Sequence, residues 1–221
     1  MPAESEVTVR DVACTVCGCV CDDLTLTVRD NRIVAVQPGC PLAEPWFLAI
    51  GEAGAVPARV HGTPESLETA IEAAADLLRQ SRAPLIYGLS RSSTEGQRAA
   101  VRLADRLGAT IDTTASRCHA PSIMALQQAG ESTCSLGEVR NRCDLVIFWG
   151  SNPLHSHPRH LERYSGDPTG MFVPGGRRDR FLIVVDTEPT ATAQRADLFL
   201  QVEPGCDFEV LWTLRALVRG L

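Results

Sequence analysis

The sequence predicts an α/β protein, in which a small N-terminal cap with a β-hairpin precedes a doubly wound, mostly parallel sheet. Two observations support this fold class. Five of the nine cysteines fall within the first 40 residues, on both sides of an alternating apolar pattern. From about residue 63 onward, short runs rich in β-branched residues alternate with helical patterns. We therefore divide the chain into a cap over residues 1–55 and an α/β domain over residues 56–221.

The β-hairpin of the cap is predicted by the segments DLTLTV and RIVAV, which alternate apolar and polar residues on either side of Asp30 and Asn31. The hairpin lies between the cysteines of residues 14–21 and Cys40, so it would fold Cys40 back beside the others. A cap of about four dozen residues is too small to bury a sufficient core unaided. We therefore expect a bound metal to hold it together.

The α/β domain begins with a predicted helix. Thr63, Pro64 and Glu65 supply, in order, a capping hydroxyl, a first-turn proline and an acid near the positive end of the helix dipole. Apolar residues then follow at helical spacing as far as Leu78. The pattern predicts that this helix opens at Thr63.

The rest of the domain alternates predicted strands with predicted helices. The strands are PLIYG, ATIDT, DLVIFWG and FLIVVDTE, and the helices cover about 94–107, ending at Gly108, and about 206–219. Such alternation is typical of a parallel sheet, which binds ligands beyond the carboxyl ends of its strands. The segment from about 165 to 180 is rich in glycine, proline and charge, and it predicts a surface loop between two strands.

Composition excludes several classes of protein. The formal net charge of −6 argues against a general nucleic-acid binder. No stretch approaches the roughly 18 apolar residues of a membrane span, and the N-terminus lacks the order of a signal peptide. We expect a cytoplasmic location, where clustered cysteines bind metals more often than they form disulfides.

The spacing of the N-terminal cysteines predicts a metal site. Four cysteines lie within the eight residues 14–21, namely Cys14, Cys17, Cys19 and Cys21. Cys40 follows after the hairpin. Four thiolates suit a [4Fe–4S] cluster or a tetrahedral zinc, and we favour the cluster. The preferred set is Cys14, Cys17, Cys21 and Cys40, with Cys19 as a spare thiol; in the alternative, Cys19 replaces one of the first three.

Cys118 and His119 follow the predicted strand ATIDT in a polar segment that also contains Arg117. A thiol beside an imidazole and a guanidinium suits an active thiolate or a metal ligand. The alternative, a packed cysteine beside a surface histidine, is the interpretation that these two residues favour by themselves.

Two strand ends are candidate cofactor-binding turns. The turn after DLVIFWG offers backbone N–H groups and a side-chain amide to a phosphate or a base, and the turn after FLIVV places carboxylates where nucleotide-binding sheets bind ribose or guanine. Ordinary turns explain both patterns equally well. The candidate cofactor-binding residues are Gly150, Ser151, Asn152, Pro153, Asp186 and Thr187.

Taken together, these segments resemble the catalytic B subunit of formylmethanofuran dehydrogenases, which belongs to the molybdopterin oxidoreductase superfamily. The resemblance rests on ACTVCGCVCDDLTL, SRCHAPS, WGSNPLHSHPRHLERYS and VVDTEPTATAQRADLFLQVEPGCDFEVLWTLRALVRG. It covers almost the whole chain in the expected order, although the chain looks shortened at its C-terminus relative to the family.

The resemblance implies two cofactors. A [4Fe–4S] cluster would be held by Cys14, Cys17, Cys21 and Cys40, and the sulfur of Cys118 would bind the tungsten or molybdenum of a bis(pterin guanine dinucleotide). His119 would lie beside the reacting carbon as a proton-handling group. The turns at Gly150–Pro153 and Asp186–Thr187 would bind the guanine dinucleotide arms.

The implied activity is the interconversion of carbon dioxide and formate in one-carbon metabolism and methanogenesis. The implied partners are the other subunits of a formylmethanofuran dehydrogenase or of the related bacterial formyltransferase/hydrolase complex, with a small one-carbon substrate and neither nucleic acid nor membrane. Two alternatives remain. The chain is a non-redox structural B subunit of the bacterial complex, which its short length favours, or it is a zinc-binding interaction module.

Overall fold

The computed structural model describes residues 6–51, 56–90 and 92–221. The chain forms two compact units, one built from Met1–Ala53 with Cys134–Leu221 and the other from Gly54–Thr133. These units divide the chain differently from the predicted cap and α/β domain. Residue 55, at the predicted boundary, lies outside the described residues, so that division stays a prediction.

The described elements follow one another in chain order. The strands are β1 Glu6–Val12, β2 Leu24–Arg29, β3 Arg32–Gln37, β4 Ala58–Val60, β5 Thr63–Glu65, β6 Leu85–Tyr87, β7 Thr110–Asp112, β8 Leu145–Trp149, β9 Phe181–Asp186 and β10 Leu198–Gln201. The helices are α1 Ala43–Leu48, α2 Leu67–Gln80, α3 Thr94–Leu107, α4 Thr114–Arg117, α5 Ala120–Ala129, α6 Leu136–Arg142, α7 Pro153–Ser156 and α8 Asp207–Val218. Short π and 3-10 turns cover Leu161–Ser165, Gly176–Asp179 and Ala193–Arg195.

The predicted hairpin is confirmed as β2 and β3. Its two turn residues, Asp30 and Asn31, have φ angles of 50° and 61°, the left-handed backbone that Asp and Asn tolerate in two-residue turns. β1, which the sequence analysis did not predict, pairs with β2 to give a three-stranded antiparallel sheet.

The core beneath this sheet is built partly from sulfur side chains. Leu24, Leu26 and Val36 point inward from β2 and β3 and pack with buried Phe47 of α1. The same cluster contains three buried cysteines, Cys14, Cys19 and Cys21. The cysteine segment is therefore part of the core that this sheet covers.

The first unit also contains a parallel sheet, in the order β10, β9, β8. Leu182, Val184 and Val185 of the central strand are fully buried, and β8 and β9 confirm the strands predicted from DLVIFWG and FLIVVDTE. α8 confirms the predicted last helix to within one residue at each end.

In the second unit, β4 and β5 form an antiparallel pair, and β6 and β7 form a parallel one. α3 confirms the predicted helix over 94–107, and its C-cap Gly108 has a φ of 65°. The predicted start of the first helix was wrong, because Thr63–Glu65 is a strand. Ser66 is the actual N-cap, and its hydroxyl accepts a hydrogen bond from the Thr69 amide at 3.1 Å.

The structure confirms the α/β class, since parallel strands and helices alternate in both units. Among the described residues, the parallel strands belong to two hydrogen-bonded sheets, of three and two strands. One continuous, doubly wound sheet therefore stays a prediction.

The segment of residues 165–180 was predicted to be a surface loop, and in part this was wrong. Its composition is that of a loop, but Val173 is fully buried and Arg180 is only 3% exposed. Gly176 has a φ of 61°, and a Cβ there would lie 2.6 Å from the Asp167 carbonyl oxygen. The segment that links β8 to β9 is therefore anchored by a few buried residues, while others, such as Met171 and Phe172, are exposed.

Candidate metal centre

All five N-terminal cysteines line one small cavity of the first unit. Cys14, Cys19 and Cys21 are buried, and Cys17 and Cys40 are partly exposed. The rest of the wall is largely apolar, with one guanidinium, and its residues are Val16, Val20, Leu24, Pro38, Leu42, Ala43, Pro158 and Arg159. The hairpin thus returns Cys40 to the other cysteines.

Backbone hydrogen bonds fix the two chain segments that carry the cysteines. The Cys14 amide donates to the Cys21 carbonyl at 2.7 Å and closes the loop between them. At Cys40, the Ala43 amide donates to the sulfur at 3.3 Å, and the Glu44 amide donates to the carbonyl at 3.0 Å. An N–H group directed at sulfur stabilises negative charge there, as a metal-bound thiolate requires.

Cys19 has contacts of a different kind. Its thiol lies 3.7 Å from the His157 carbonyl as a donor, and its own carbonyl accepts a hydrogen bond from the Tyr164 hydroxyl at 2.6 Å. Burial, with a smaller contribution from Cys17, raises the pKa of Cys19 to about 12. A thiol that stays protonated and donates to a carbonyl is the weakest candidate among the five for binding a metal.

Two arginines attach the cysteine loop to the segment after α7. We call this group the arginine clamp; its members are Arg159, Arg163, Asp22, Asp23 and Glu162. Arg159, 7% exposed, donates to both carboxylate oxygens of Asp23 at 2.8 and 2.7 Å and also to Glu162. Arg163 contacts Asp22 at 2.6 Å and Asp23 at 2.8 Å.

The clamp changes the electrostatics of the cavity. Hydrogen bonds from Arg159 lower the pKa of Asp23, against an opposing effect of burial, and bonds to Asp23 and Glu162 raise the pKa of Arg159. Burial raises the pKa of Cys21, but the charges of Arg159 and Arg163 oppose that rise. The two guanidinium charges therefore favour an ionised sulfur at Cys21.

Within the ranges 6–51, 56–90 and 92–221, no three cysteine, histidine or acidic side chains converge closely enough to hold a single metal ion. A [4Fe–4S] cluster sets a different requirement, because each of its four thiolates binds a different iron. Its ligands must surround a cavity instead of meeting at a point. The cysteines around this cavity, with their apolar wall and an N–H group on Cys40, fit such a cluster.

The two candidate cofactor-binding turns lie side by side at the carboxyl edge of the parallel sheet. Trp149 at the end of β8 pairs with Val185, and the Gly150 amide donates to the Val185 carbonyl at 2.8 Å. Gly150 has a φ of 55°. The Asp186 carboxylate accepts a hydrogen bond from the Thr187 amide at 2.8 Å. The structure therefore brings together turns that are separated in sequence.

The side chain of Asn152 already has a structural partner. Its carbonyl oxygen accepts from the hydroxyl of Thr192 at 2.7 Å and from the Thr192 amide at 3.3 Å. Thr192 is buried, and its hydroxyl also accepts a hydrogen bond from the Leu154 amide. Ser151 and Pro153 line a neighbouring cavity. Asn152 therefore shapes this turn through its carbonyl oxygen.

That neighbouring cavity contains two histidines whose place the sequence analysis missed. His157 and His160 line it together with Gly18 of the cysteine loop. His160 is hydrogen-bonded through Nδ1 to buried Ser165 at 2.8 Å, and burial lowers its pKa. The rings of His157 and His160 also contact each other, with centroids 6.4 Å apart, and Nδ1 of His157 lies 2.8 Å from the Ser156 hydroxyl.

Cys118 and His119 belong to the second unit. Within the predicted polar segment they form the turn between α4 and α5, with Cys118 exposed and His119 as the N-cap of α5. The cysteine cavity belongs to the first unit. The roles predicted for Cys118 and His119 stay predictions.

Comparison with known proteins finds relatives that match almost the whole chain. No family model matches the sequence. The B subunit of the tungsten-containing formylmethanofuran dehydrogenase 2 of Methanocaldococcus jannaschii is 45% identical over 221 residues, which cover 96% of this chain and 50% of that protein. Over nearly its whole length, the chain is similar to formylmethanofuran dehydrogenase B subunits. It spans about half the length of the curated relatives that it matches.

The chain is also similar to a bacterial protein. The B subunit of the formyltransferase/hydrolase complex Fhc of Methylorubrum extorquens is 36% identical over 94 residues, which cover 42% of this chain and 26% of that protein. A chain in the crystal structure of the FhcABCD complex with methylofuran, from the same organism, matches with a TM-score of 0.56 and 27% identity, over 69% of this chain and 41% of that one.

Among the described residues, no helix has the length and apolar character to cross a membrane.

Proposed function

We propose that this chain is part of the catalytic B subunit of a formylmethanofuran dehydrogenase, an oxidoreductase that interconverts carbon dioxide and formate. In this proposal Cys14, Cys17, Cys21 and Cys40 hold a [4Fe–4S] cluster. The observation that carries it is the arrangement of these cysteines around one cavity, in a chain similar to such B subunits.

The second cofactor of the proposal is a tungsten- or molybdenum-bis(pterin guanine dinucleotide). Cys118 binds its metal through sulfur, and the turns at Gly150–Pro153 and Asp186–Thr187 hold the guanine dinucleotide arms. The adjacent position of these turns at one sheet edge supports that role. When bound, the pterin-held metal supplies two-electron chemistry and the cluster passes electrons on singly.

In this proposal His119 holds the proton that the conversion of carbon dioxide to formate consumes. The conversion of carbon dioxide to formate takes up two electrons and one proton, and an imidazole exchanges a proton near neutral pH. His119 is the N-cap of α5 and directly follows Cys118, at the turn between two helices. Cys118 is exposed at this turn, which leaves its sulfur accessible to a ligand.

The proposal extends to the organisation of the protein. Residues 1–55 form an iron–sulfur cap, and residues 56–221 form a pterin-dinucleotide domain whose parallel strands belong to one doubly wound sheet. The protein works in the cytoplasm with the other subunits of its complex, and its substrate is a one-carbon molecule. The similar solved structure is that of a multi-subunit complex, FhcABCD, and this similarity supports such an assembly.

The test is a metal analysis of the full-length protein, purified anaerobically in its complex. We expect iron with either tungsten or molybdenum, and an electron paramagnetic resonance signal of a reduced [4Fe–4S] cluster. Substituting serine for each of the four ligands should remove that signal, whereas Cys19→Ser should keep it. Metal-free protein with an intact fold would contradict the proposal, and loss of the cluster in Cys19→Ser alone would shift the ligand set.

A second candidate is a non-redox structural B subunit of a formyltransferase/hydrolase complex. The similarity to the FhcABCD structure favours it. An assay of formate oxidation with an artificial electron acceptor separates the two, since activity in the purified complex excludes the structural role. A zinc-binding interaction module is the third candidate, and zinc without an iron–sulfur absorbance band would support it.

A further inference from the structure

We infer that Arg159 is a positioning residue, which holds the Cys21 end of the cysteine loop and places a positive charge in the wall of the cluster cavity, so that it raises the reduction potential of the cluster. This inference rests on the proposed function, because it requires the cluster.

The position of the Arg159 side chain is fixed by its contacts. Arg159 lines the cavity together with the cysteines and is 7% exposed. Its guanidinium is held from two sides, by both oxygens of Asp23 and by the carboxylate of Glu162. Asp23 is two residues beyond Cys21. A bidentate pair fixes angle as well as distance, so Arg159 restricts the end of the loop that carries Cys21.

The charges of the arginine clamp differ in how deeply they are buried. The two cations are the most buried charges of the arginine clamp, since the side chains of Arg159 and Arg163 are 8% and 18% exposed. The carboxylates lie further out, with Asp23 40%, Glu162 56% and Asp22 76% exposed. Solvent screens the outer charges more than the inner ones. The cavity is therefore subject to a positive field, although the clamp as a whole carries more carboxylates than arginines.

A positive charge near the cluster favours its reduced form. Reduction adds a negative charge to a cluster, and the charges and hydrogen bonds around the cluster set its potential. A buried cation is screened less than a surface charge, so its removal has a larger effect. Removing Arg159 also takes one cation away from Asp23 and Glu162, and Asp23 then pairs with Arg163 alone. Both effects disfavour reduction.

The experiment is a potentiometric titration of the cluster in the full-length protein within its complex, followed by electron paramagnetic resonance. We expect Arg159→Met to lower the ratio of reduced to oxidised cluster at least tenfold at a fixed potential, which is about 59 mV for one electron. Arg159→Lys, which keeps the charge without the two-pronged bond, should shift less. Arg178→Met removes an exposed arginine of the same unit and should not shift the potential.

Glu162→Gln provides a test of opposite sign. It removes a carboxylate from the clamp and keeps hydrogen-bonding groups, so the potential should rise. If Arg159→Met loses its cluster, this variant decides: a higher potential supports the inference, and an unchanged or lower one overturns it. An intact cluster with an unchanged potential in Arg159→Met also overturns it. Wild-type protein without iron would overturn the proposed function itself, before any variant is compared.

Discussion

Arg159 and Asp23 are 136 positions apart in the chain, yet their side chains form a two-pronged ion pair, with nitrogen–oxygen distances of 2.8 and 2.7 Å. Asp23 ends the cysteine loop, and Arg159 belongs to the segment after α7. The two parts of the first unit, Met1–Ala53 and Cys134–Leu221, are therefore joined directly at the candidate metal centre. This relationship makes the geometry of the loop dependent on the parallel-sheet half of the unit.

The first prediction concerns the pH dependence of stability at this ion pair. Hydrogen bonds from Arg159 lower the pKa of Asp23 in the folded protein. A carboxylate with a lowered pKa stabilises the fold above its ordinary pKa, and this contribution is lost as the pH falls through the folded value. Asp23→Asn should therefore lose less stability than the wild type between about pH 5 and about pH 3, measured by urea unfolding.

The control for this prediction is Asp22→Asn. Asp22 contacts Arg163, but its side chain is 76% exposed, so solvent screens its ion pair and the pH profile should stay close to that of the wild type. Parallel pH profiles for Asp23→Asn and the wild type would show that the Arg159 pair contributes nothing to stability.

The second prediction concerns Arg180. Its buried guanidinium donates hydrogen bonds to four backbone carbonyls, those of Cys143, Gly166, Pro168 and Arg140. Arg180→Met would leave these carbonyls without their donor, and we expect a loss of about 3 kcal/mol in the free energy of unfolding. Arg178→Met, at an exposed position two residues earlier, should change it by less than about 0.5 kcal/mol. Equal effects of the two substitutions would contradict this role.

Local chemistry was sufficient to predict the hairpin and α3. Asp30 and Asn31 suit a left-handed two-residue turn, and Gly108 suits a left-handed C-cap, so each signal lies within a few residues of the structure that it causes. The start of α2 was mispredicted because Thr63 and Ser66 both offer a capping hydroxyl. Only the pairing of β4 with β5 decides between them.

The arginine clamp could not be predicted from sequence. Arginines and acids are common on protein surfaces, and nothing in the local pattern distinguishes Arg159 from exposed Arg178. Their difference arises from contacts across more than a hundred positions of chain. The cysteine spacing was more informative, because few structural roles need so many thiols in one turn.

The third prediction concerns the attachment of α8 to β8. The indole N–H of Trp149 donates to the Asp207 carboxylate at 2.6 Å, in the first turn of the helix. Trp149→Phe keeps an aromatic ring but removes the donor, and it should lower the free energy of unfolding by about 0.5–1 kcal/mol, since Asp207 is exposed and solvent weakens the bond. Trp46→Phe removes an indole N–H at a site that is 48% exposed and serves as the control. A loss in Trp46→Phe as large as in Trp149→Phe would mean that the bond to Asp207 is not the cause.

The fourth prediction concerns the turn at Gly150–Pro153. The buried hydroxyl of Thr192 donates to Asn152 at 2.7 Å and accepts from the Leu154 amide at 3.1 Å, so it fixes the turn on two sides. Thr192→Val replaces the hydroxyl with a methyl group, and we expect a loss of about 2 kcal/mol in the free energy of unfolding, since two buried hydrogen bonds disappear. Thr192→Ser keeps the hydroxyl and should cost less. If this turn holds a guanine dinucleotide arm, Thr192→Val should also retain less tungsten or molybdenum than Thr192→Ser after gel filtration of the complex. Equal stability and equal metal retention in the two variants would show that the hydroxyl does not organise the turn.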